Sequence, residues 1–490
     1  MLRGIDPAAA AVAGLALALR MPLLVAALPG VGNSDEPLNV TVGVRMASAG
    51  TFDAHSYRYP GLVYEVVAGT AGVFRTLGLH VSVHGAMRIE NLGIAHTDSR
   101  LLMIGIRLVG AAASVGTCLL VWATVRRVLQ NTRMETRWMR IAAALAAVTV
   151  AVSPLAAANS AYATPDVYGG FAVALTLYGA TRVLTGDPYG ELACGFGVGL
   201  ALGAKYLAAA AIPVVVAYAL SPGRRKDLLK VAAISAVVFI ATTPAVVMHP
   251  GAVLAGMEAE AIHYETGHVG AEGSAPWYYL TALARDQPLL LDGLAVAVVA
   301  VFRAKGIIRS TLIVALAYAI PQFILLSVMT VRFDRNLVPL TPALAVAAGV
   351  AIPALFPRRH RGAVLALATV AAFLPLASSA RLYPRLDERA RVQAAAWVTR
   401  HIPAAQRVAV ESYGPWLDPG RFHLVPLTFA ADRPGVAARA LILTQHAAGR
   451  FLADPEHHPR EVAAYRELLE RYRLAARFTA GSWIAVYVPR

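Results

Sequence analysis

The chain has 490 residues, of which 57% are hydrophobic and 15% charged, and its mean hydropathy is +0.57. This composition excludes an ordinary soluble globular protein and implies a helical membrane protein of many passes. The formal net charge of +15 does not argue for nucleic acid, because the basic residues cluster at the ends of apolar runs, as topology signals do.

In chain order, the first apolar run extends from about Ala8 to Leu28 and contains Arg20, which either snorkels or faces the bundle. No small-residue cleavage site follows it, so it reads as a retained helix. Next comes Asn33-Ser34-Asp35-Glu36-Pro37, two adjacent carboxylates at the mouth of a membrane bundle. Ionised groups are expensive there and usually functional, although the same residues also suit a plain helix cap. The stretch from Gly30 to Arg100 holds His55, Arg58, Tyr59 and a moderately apolar segment, Gly61 to Leu77. Glu65 and Arg75 inside that segment make it a helix lying along the interface.

Ten further apolar runs follow: Leu108–Val125, Ile141–Ala157, Val167–Val183, Leu192–Gly203, Leu207–Leu220, Val231–Met248, Leu289–Val301, Thr311–Met329, Leu337–Leu355 and Ala363–Ala377. Four loops between them are basic: Arg126 to Arg140, Arg224 to Lys230, Arg303 to Arg309, and Arg358 to Arg361. All four fall on one side if the interfacial helix is not a span, and the positive-inside rule makes that side cytoplasmic. The acidic pair, Asp166, Lys205, the loop from Met248 to Arg285 and the cluster from Arg332 to Asn336 then face outward, as does the tail. That tail is charged, punctuated by proline, and mixes strand-like runs (Val408–Val410, Ala440–Leu443, Trp483–Val488) with helical ones (Glu388–Arg400, Glu461–Arg473).

The expected fold is therefore an all-α polytopic membrane bundle of about eleven transmembrane helices, followed by a small soluble α/β domain. The bundle would occupy residues 1–379, with interfacial helices in its first outer loop, 30–106. The outer domain would occupy 380–490. Cys118 and Cys194 lie inside apolar segments and suggest neither a disulfide framework nor a thiolate metal site.

The outward-facing charges suit glycosyl transfer from a polyprenyl-phosphate sugar. A carboxylate would deprotonate the acceptor hydroxyl while Lys or Arg stabilises the departing lipid phosphate. Single displacement would invert the anomeric centre. The plainer readings are a snorkelling Lys205, an Asp166 that only starts a helix after Pro165, and Arg332 and Arg335 paired with Asp334. Gly195, Gly197, Gly199 and Gly203 read as packing positions. His263 and His268 beside Glu258, Glu260 and Glu265 have no diagnostic metal spacing.

Several of these landmarks occur together in a known order. Asp35-Glu36, Pro60-Gly61-Leu62-Val63-Tyr64, Arg107-Leu108, Ser153-Pro154 with Asp166, Gly195 to Lys205, Ala275-Pro276-Trp277-Tyr278-Tyr279 and Arg335-Asn336-Leu337-Val338-Pro339 resemble the successive motifs of GT-C membrane glycosyltransferases. The chain is most similar to the branch holding protein O-mannosyltransferases and lipid A aminoarabinose transferases, and the resemblance covers roughly Ala8 to Val350.

The resemblance implies that Asp35 is the catalytic base with Glu36 supporting it. Asp166 would be a second acidic position, and Lys205 with Arg335 would hold the donor phosphate. Tyr59 stands where the family often has lysine, so Arg58 or Tyr59 would replace a sugar or phosphate contact. Tyr64 and the extra cation Arg332 complete the substrate-binding set. No resident metal or cofactor is assigned; a divalent cation near Asp35 and Asp166 stays open. The implied partners are a polyprenyl-phosphate-sugar donor, membrane lipid, and an acceptor that is a protein, glycolipid or glycan, with no nucleic acid. The implied location is a bacterial inner or plasma membrane, with the active site and C-terminal domain extracytoplasmic. The competing function is a transporter or flippase for a lipid-linked anion, for which related halves would be expected and no internal repeat is evident.

Overall fold

The computed structural model describes residues 6–26, 28–29, 31, 35–85, 95–267, 273–356, 358–376 and 389–490. Its helices are α1 (Pro7–Arg20), α2 (Glu36–Ala49), α3 (Leu62–Thr76), α4 (Arg100–Gln130), α5 (Thr136–Ala151), α6 (Pro154–Ser160), α7 (Pro165–Leu184), α8 (Gly190–Lys205), α9 (Ala211–Ala219), α10 (Leu228–Thr242), α11 (Ala245–Met248), α12 (Pro250–Thr266), α13 (Ala275–Asp286), α14 (Pro288–Arg303), α15 (Gly306–Val328), α16 (Thr341–Leu355), α17 (Arg358–Phe373), α18 (Arg389–His401), α19 (Ala448–Leu452) and α20 (Pro459–Glu470). The strands are β1 (His84–Gly85), β2 (Ala95–His96), β3 (Arg407–Glu411), β4 (His423–Leu427), β5 (Ala440–Thr444), β6 (Tyr472–Ala480) and β7 (Ser482–Pro489).

Each of the eleven apolar runs falls mostly on helix where it is described, with breaks at Val152-Ser153 and Thr243-Pro244. Among the described residues five helical stretches are long and apolar enough to cross a bilayer: Pro7–Val25, Arg100–Gln130, Pro165–Leu184, Gly306–Val328 and Asp334–Leu355. α5 and α6, bent by 57° at their junction, make a sixth if taken as one span. The bend follows from Ser153-Pro154: Pro154 cannot continue the α5 ladder, and Ser153 caps the new helix by accepting the Ala156 N–H at 3.1 Å. The segment read as interfacial is α3. Its 15 residues would extend only about 22 Å, short of the hydrocarbon core.

The chain divides into two compact units, Met1–Leu23 with Phe52–Glu65 and Arg107–Ala380, and Leu24–Thr51 with Val66–Ile106 and Arg381–Arg490. The first is the bundle. In it α8 packs along both α7 and α10, and α14 along α16. The glycines of α8 make this approach possible. A Cβ on Gly195 would stand 2.6 Å from Ile234 of α10 and one on Gly199 2.6 Å from Val238, while Gly197 meets Thr176 of α7. Arg20 faces the bundle. It is fully buried, donating to Ser114 Oγ at 2.9 Å and to the carbonyls of Ala16 and Ala151 at 2.8 and 3.0 Å.

One end of the bundle is tied by charge. Arg127 and Arg182 each lie 2.7 Å from Asp187, Arg224 lies 2.9 Å from Glu191, and Arg126 lies 3.5 Å from Asp6. Two of the four basic loops thus gather beside the start of α1 and the turn between α7 and α8. Asp166 lies at the other end of α7 from Arg182, 16 residues or about 24 Å away along the helix.

The second unit holds α2, the β1–β2 pair and the C-terminal sheet of order β4-β3-β5-β7-β6. β3 runs parallel to β4 and β5, while β7 runs antiparallel to β5 and β6. The core is Val408, Val410, Ile442, Ile484 and Val486 from the strands, with Ala390, Ala394 and Val398 from α18. His96 of β2 stacks on Trp416 with ring centroids 4.8 Å apart. This grouping cuts across the sequence-based boundary at residues 379 and 380, because parts of the first outer loop join the C-terminal residues. One sequence expectation needs correction here, and two strands were not anticipated from the sequence. The helix over Glu461–Arg473 stops at Glu470, and Tyr472–Ala480 is strand; His423–Leu427 is strand as well. β4 contains Pro426 and β6 is rich in Ala and Arg, so neither shows a strand signature. Both are edge strands whose pairing partner imposes the conformation.

Candidate active site

The bundle brings together four residues that are far apart in sequence. α7 starts after Thr164, with Pro165 in its first turn, so Asp166 sits at the helix N-terminus, where exposed N–H groups favour a carboxylate. α8 ends where Tyr206 adopts φ 49°, a left-handed cap that closes the helix on Lys205. Lys205 Nζ donates to Asp166 Oδ1 at 2.6 Å and to Asn336 Oδ1 at 2.9 Å. Arg335 Nε lies 4.0 Å from the other Asp166 oxygen. Asn336 is fixed in turn, donating through Nδ2 to Tyr279 OH at 3.1 Å. Asp166 is 1% exposed and Asn336 4%, so this network works in a low-dielectric setting where an ion pair is strong and a lone charge very costly.

Lys205 and Asn336 line a cavity of about 270 Å³. Leu207, Leu325, Leu326, Met329 and Pro339 give it an apolar wall, and Arg58, Tyr59, Glu260 and Tyr264 a polar one. Arg58 is paired with Glu260 of α12 at 3.2 Å. The loop carrying Arg58 and Tyr59 is anchored to the start of α12 through Asp53. Its Oδ1 accepts from the His55 N–H at 2.9 Å and the Tyr57 hydroxyl at 3.0 Å, and Oδ2 lies 2.9 Å from His249 Nε2. Burial opposes the charge on Asp53, yet these partners hold its carboxyl below the usual range.

The other expected site residues fall elsewhere. Tyr64 is fully buried with its hydroxyl 3.2 Å from Ser56 Oγ. Arg332 lies over the Tyr278 ring at 5.1 Å. Asp334 accepts from Tyr278 OH at 2.6 Å and lies 3.4 Å from Arg285. Asp35 and Glu36 belong to the second unit, at the start of α2; Glu36 is 0% exposed, whereas Asp35 is half-buried. Asn33, Ser34 and His268 lie outside the described residues. Sequence reasoning missed Asn336, Tyr264 and Glu260 as neighbours of Lys205 and Arg58. The only signal available was the position of Asn336 beside Arg335.

Among the described residues no group of three or more His, Cys, Asp or Glu side chains converges as a metal site. Asp166 already faces the ammonium of Lys205 and the guanidinium of Arg335, a donor set that does not suit an added divalent cation.

Comparison with known proteins bears on the fold and on residues 100–249. Residues 100–249 match the model of the family described as dolichyl-phosphate-mannose-protein mannosyltransferase. The fold is similar to the crystal structure of ArnT from Cupriavidus metallidurans bound to undecaprenyl phosphate, with TM-score 0.59, 14% identity and 97% of each chain covered. The apo structure of the same protein gives TM-score 0.59 and 13% identity over 97% of each chain. The apo oligosaccharyltransferase of Archaeoglobus fulgidus matches with TM-score 0.56 and 13% identity, over 97% of this chain and 74% of that one. No curated protein matches the sequence significantly. The chain has the fold that these solved structures share. The mannosyltransferase-family match covers α4 to the last residue before α12 and includes Asp166 and Lys205.

Proposed function

We propose that the protein transfers a sugar from a polyprenyl-phosphate-linked donor to an acceptor hydroxyl on the extracytoplasmic side of the membrane, with inversion. The observation that carries this reading is a partly buried, doubly anchored ammonium, Lys205, lining a cavity that is otherwise largely apolar. A lipid phosphate needs that combination, a cation for the head group and hydrocarbon beside it for the chain. Arg58 adds a second positive charge to the same lining. In the reaction, Asp35 accepts the proton of the acceptor hydroxyl as its oxygen attacks the anomeric carbon. The bond from that carbon to the phosphate oxygen breaks, and Lys205 and Arg58 stabilise the negative charge left on the polyprenyl phosphate. Asp35 keeps solvent access while Glu36 has none, which supports the first as the base and the second as its support. The outward orientation is supported by the arginine-tied end of the bundle, about 24 Å along α7 from Asp166 and cytoplasmic by the positive-inside rule.

The test is equilibrium binding of undecaprenyl phosphate to the purified protein. Lys205→Ala is expected to weaken binding about tenfold or more, consistent with the loss of a charge-assisted contact. Because that change leaves Asp166 without its ammonium, the double variant Lys205→Ala/Asp166→Asn separates a folding defect from a binding one. Unaltered affinity in a folded double variant contradicts the assignment.

A further inference from the structure

One polar side chain in the cavity lining has no partner among the described residues. Gln322 of α15 is 4% exposed, and its side-chain carbonyl oxygen is buried and accepts no hydrogen bond there. It lies inside the membrane-spanning stretch Gly306–Val328, six residues or about 9 Å before the end at Val328. A buried amide left unpaired is expensive, most of all at membrane depth, and native proteins keep few of them without a use. Two residues with such an unpaired buried atom, Gln322 and Tyr206, line the cavity. The Tyr206 ring is directed at α10, edge-on to Phe239 with centroids 6.4 Å apart. Gln322 instead shares a stripe of α15 with Leu325 and Leu326, three and four residues on, which continues to Met329, and all four residues line the cavity.

We propose that Gln322 reads a hydroxyl of the donor sugar and is a specificity-determining residue of the cavity. The inference rests on the donor reading given above, in which Lys205 and Arg58 take the lipid phosphate. Of the three parts of such a donor, the isoprenoid chain carries no hydrogen-bonding group. The phosphate oxygens only accept, and so leave the carbonyl oxygen of the amide unmet. A sugar hydroxyl both donates and accepts, and therefore satisfies whichever end of the amide faces it. The sugar is bonded directly to the phosphate, which brings its hydroxyls to the cavity that Lys205 and Gln322 both line. An uncharged amide among leucines also gives a discrimination that a cation does not. A phosphate is held by charge whatever sugar it carries, whereas a hydroxyl missing opposite a buried amide leaves that amide unpaired. Selectivity for the sugar and affinity for the lipid phosphate thus reside in different residues of one cavity.

The test is equilibrium binding to the purified full chain, first of bare undecaprenyl phosphate and of undecaprenyl phosphates carrying mannose, glucose, galactose or arabinose. The tightest-binding sugar is then replaced by its monodeoxy analogues. In the parent, one monodeoxy donor is expected to bind about tenfold or more weakly than the full sugar. Gln322→Leu is expected to weaken the full donor by the same factor, to leave bare undecaprenyl phosphate within about twofold, and to bind that deoxy donor as the parent does. Replacing an unpaired amide by an apolar side chain should leave the melting temperature unchanged or raise it, which separates lost binding from a folding defect. Gln322→Met, unbranched and close in length, repeats the comparison if leucine perturbs the packing. Equal losses for bare and sugar-bearing lipid, no loss for either, or no dependence on any single hydroxyl overturns the inference while the donor reading stands. A parent that binds neither bare nor sugar-bearing lipid overturns the donor reading, and the inference with it.

Discussion

Lys205 stands at a helix end, where lysines commonly extend into water, but the left-handed turn at Tyr206 and the amide of Asn336 hold its ammonium against Asp166 instead. A preformed pair of this kind has its cation in place before a ligand arrives. The same logic of buried charge gives a pH prediction in the C-terminal domain. Burial pushes the Glu411 carboxyl up to about 7, against the four hydrogen bonds that favour its charged form. A raised carboxyl pKa means that the folded state holds a proton the unfolded chain releases. Its contribution to stability is complete below the unfolded value near 4.5 and is lost as pH rises through about 7. Thermal unfolding followed by tryptophan fluorescence should therefore show a midpoint that falls between about pH 5 and pH 8, and Glu411→Gln should flatten that part of the curve. An identical pH dependence in the variant contradicts the assignment. At this scale the sequence revealed ionisable residues well and their partners poorly. Asp166 and Lys205 stood out because charges beside apolar runs are expensive, whereas Asn336 is a neutral amide opening an apolar run and has no such signature. For Arg20 the sequence left snorkelling and burial open, since only the carbonyls and hydroxyl facing it decide between them.

Among the elements, α8 controls the position of Lys205, and its glycines set how closely it lies on α7 and α10. Gly199→Val forces a side chain onto Val238 and the Ser235 carbonyl and should destabilise by about 1–3 kcal/mol. Gly14→Ala in α1, with nothing within 4 Å of the new methyl group, should stay within about 0.5 kcal/mol of the parent or gain slightly. Melting temperatures in one detergent compare them, and equal shifts would refute a packing role for the α8 glycines. The apolar runs were legible as helices because periodicity and length survive any packing arrangement. The breaks were less so. Ser153-Pro154 turned out to be a 57° bend inside one expected span, and β4 and β6 exist because neighbouring strands supply their partners.

For the molecule as a whole, the four basic loops predict that the C-terminal domain lies outside the cytoplasm. A reporter active only in the cytoplasm, fused after Arg490, should be silent, and an active fusion would reverse the orientation and the side on which Lys205 opens. The fold class, with its small C-terminal sheet, was readable from composition, because hydropathy changes sharply near residue 380. That segments 24–51 and 66–106 join that domain was not readable, since contacts between distant segments leave no periodic trace. The central claim is the proposed sugar transfer from a lipid phosphate, with Asp35 as the base. The most direct measurement is single-turnover transfer by purified protein, with panels of polyprenyl-phosphate sugars and acceptors analysed by mass spectrometry of lipid extracts. Donor binding is recorded in parallel for the parent and Asp35→Asn. The account predicts product from the parent and a rate about a hundred- to ten-thousand-fold lower for Asp35→Asn at unchanged donor affinity. Asp35→Asn turning over at near the parent rate would contradict it.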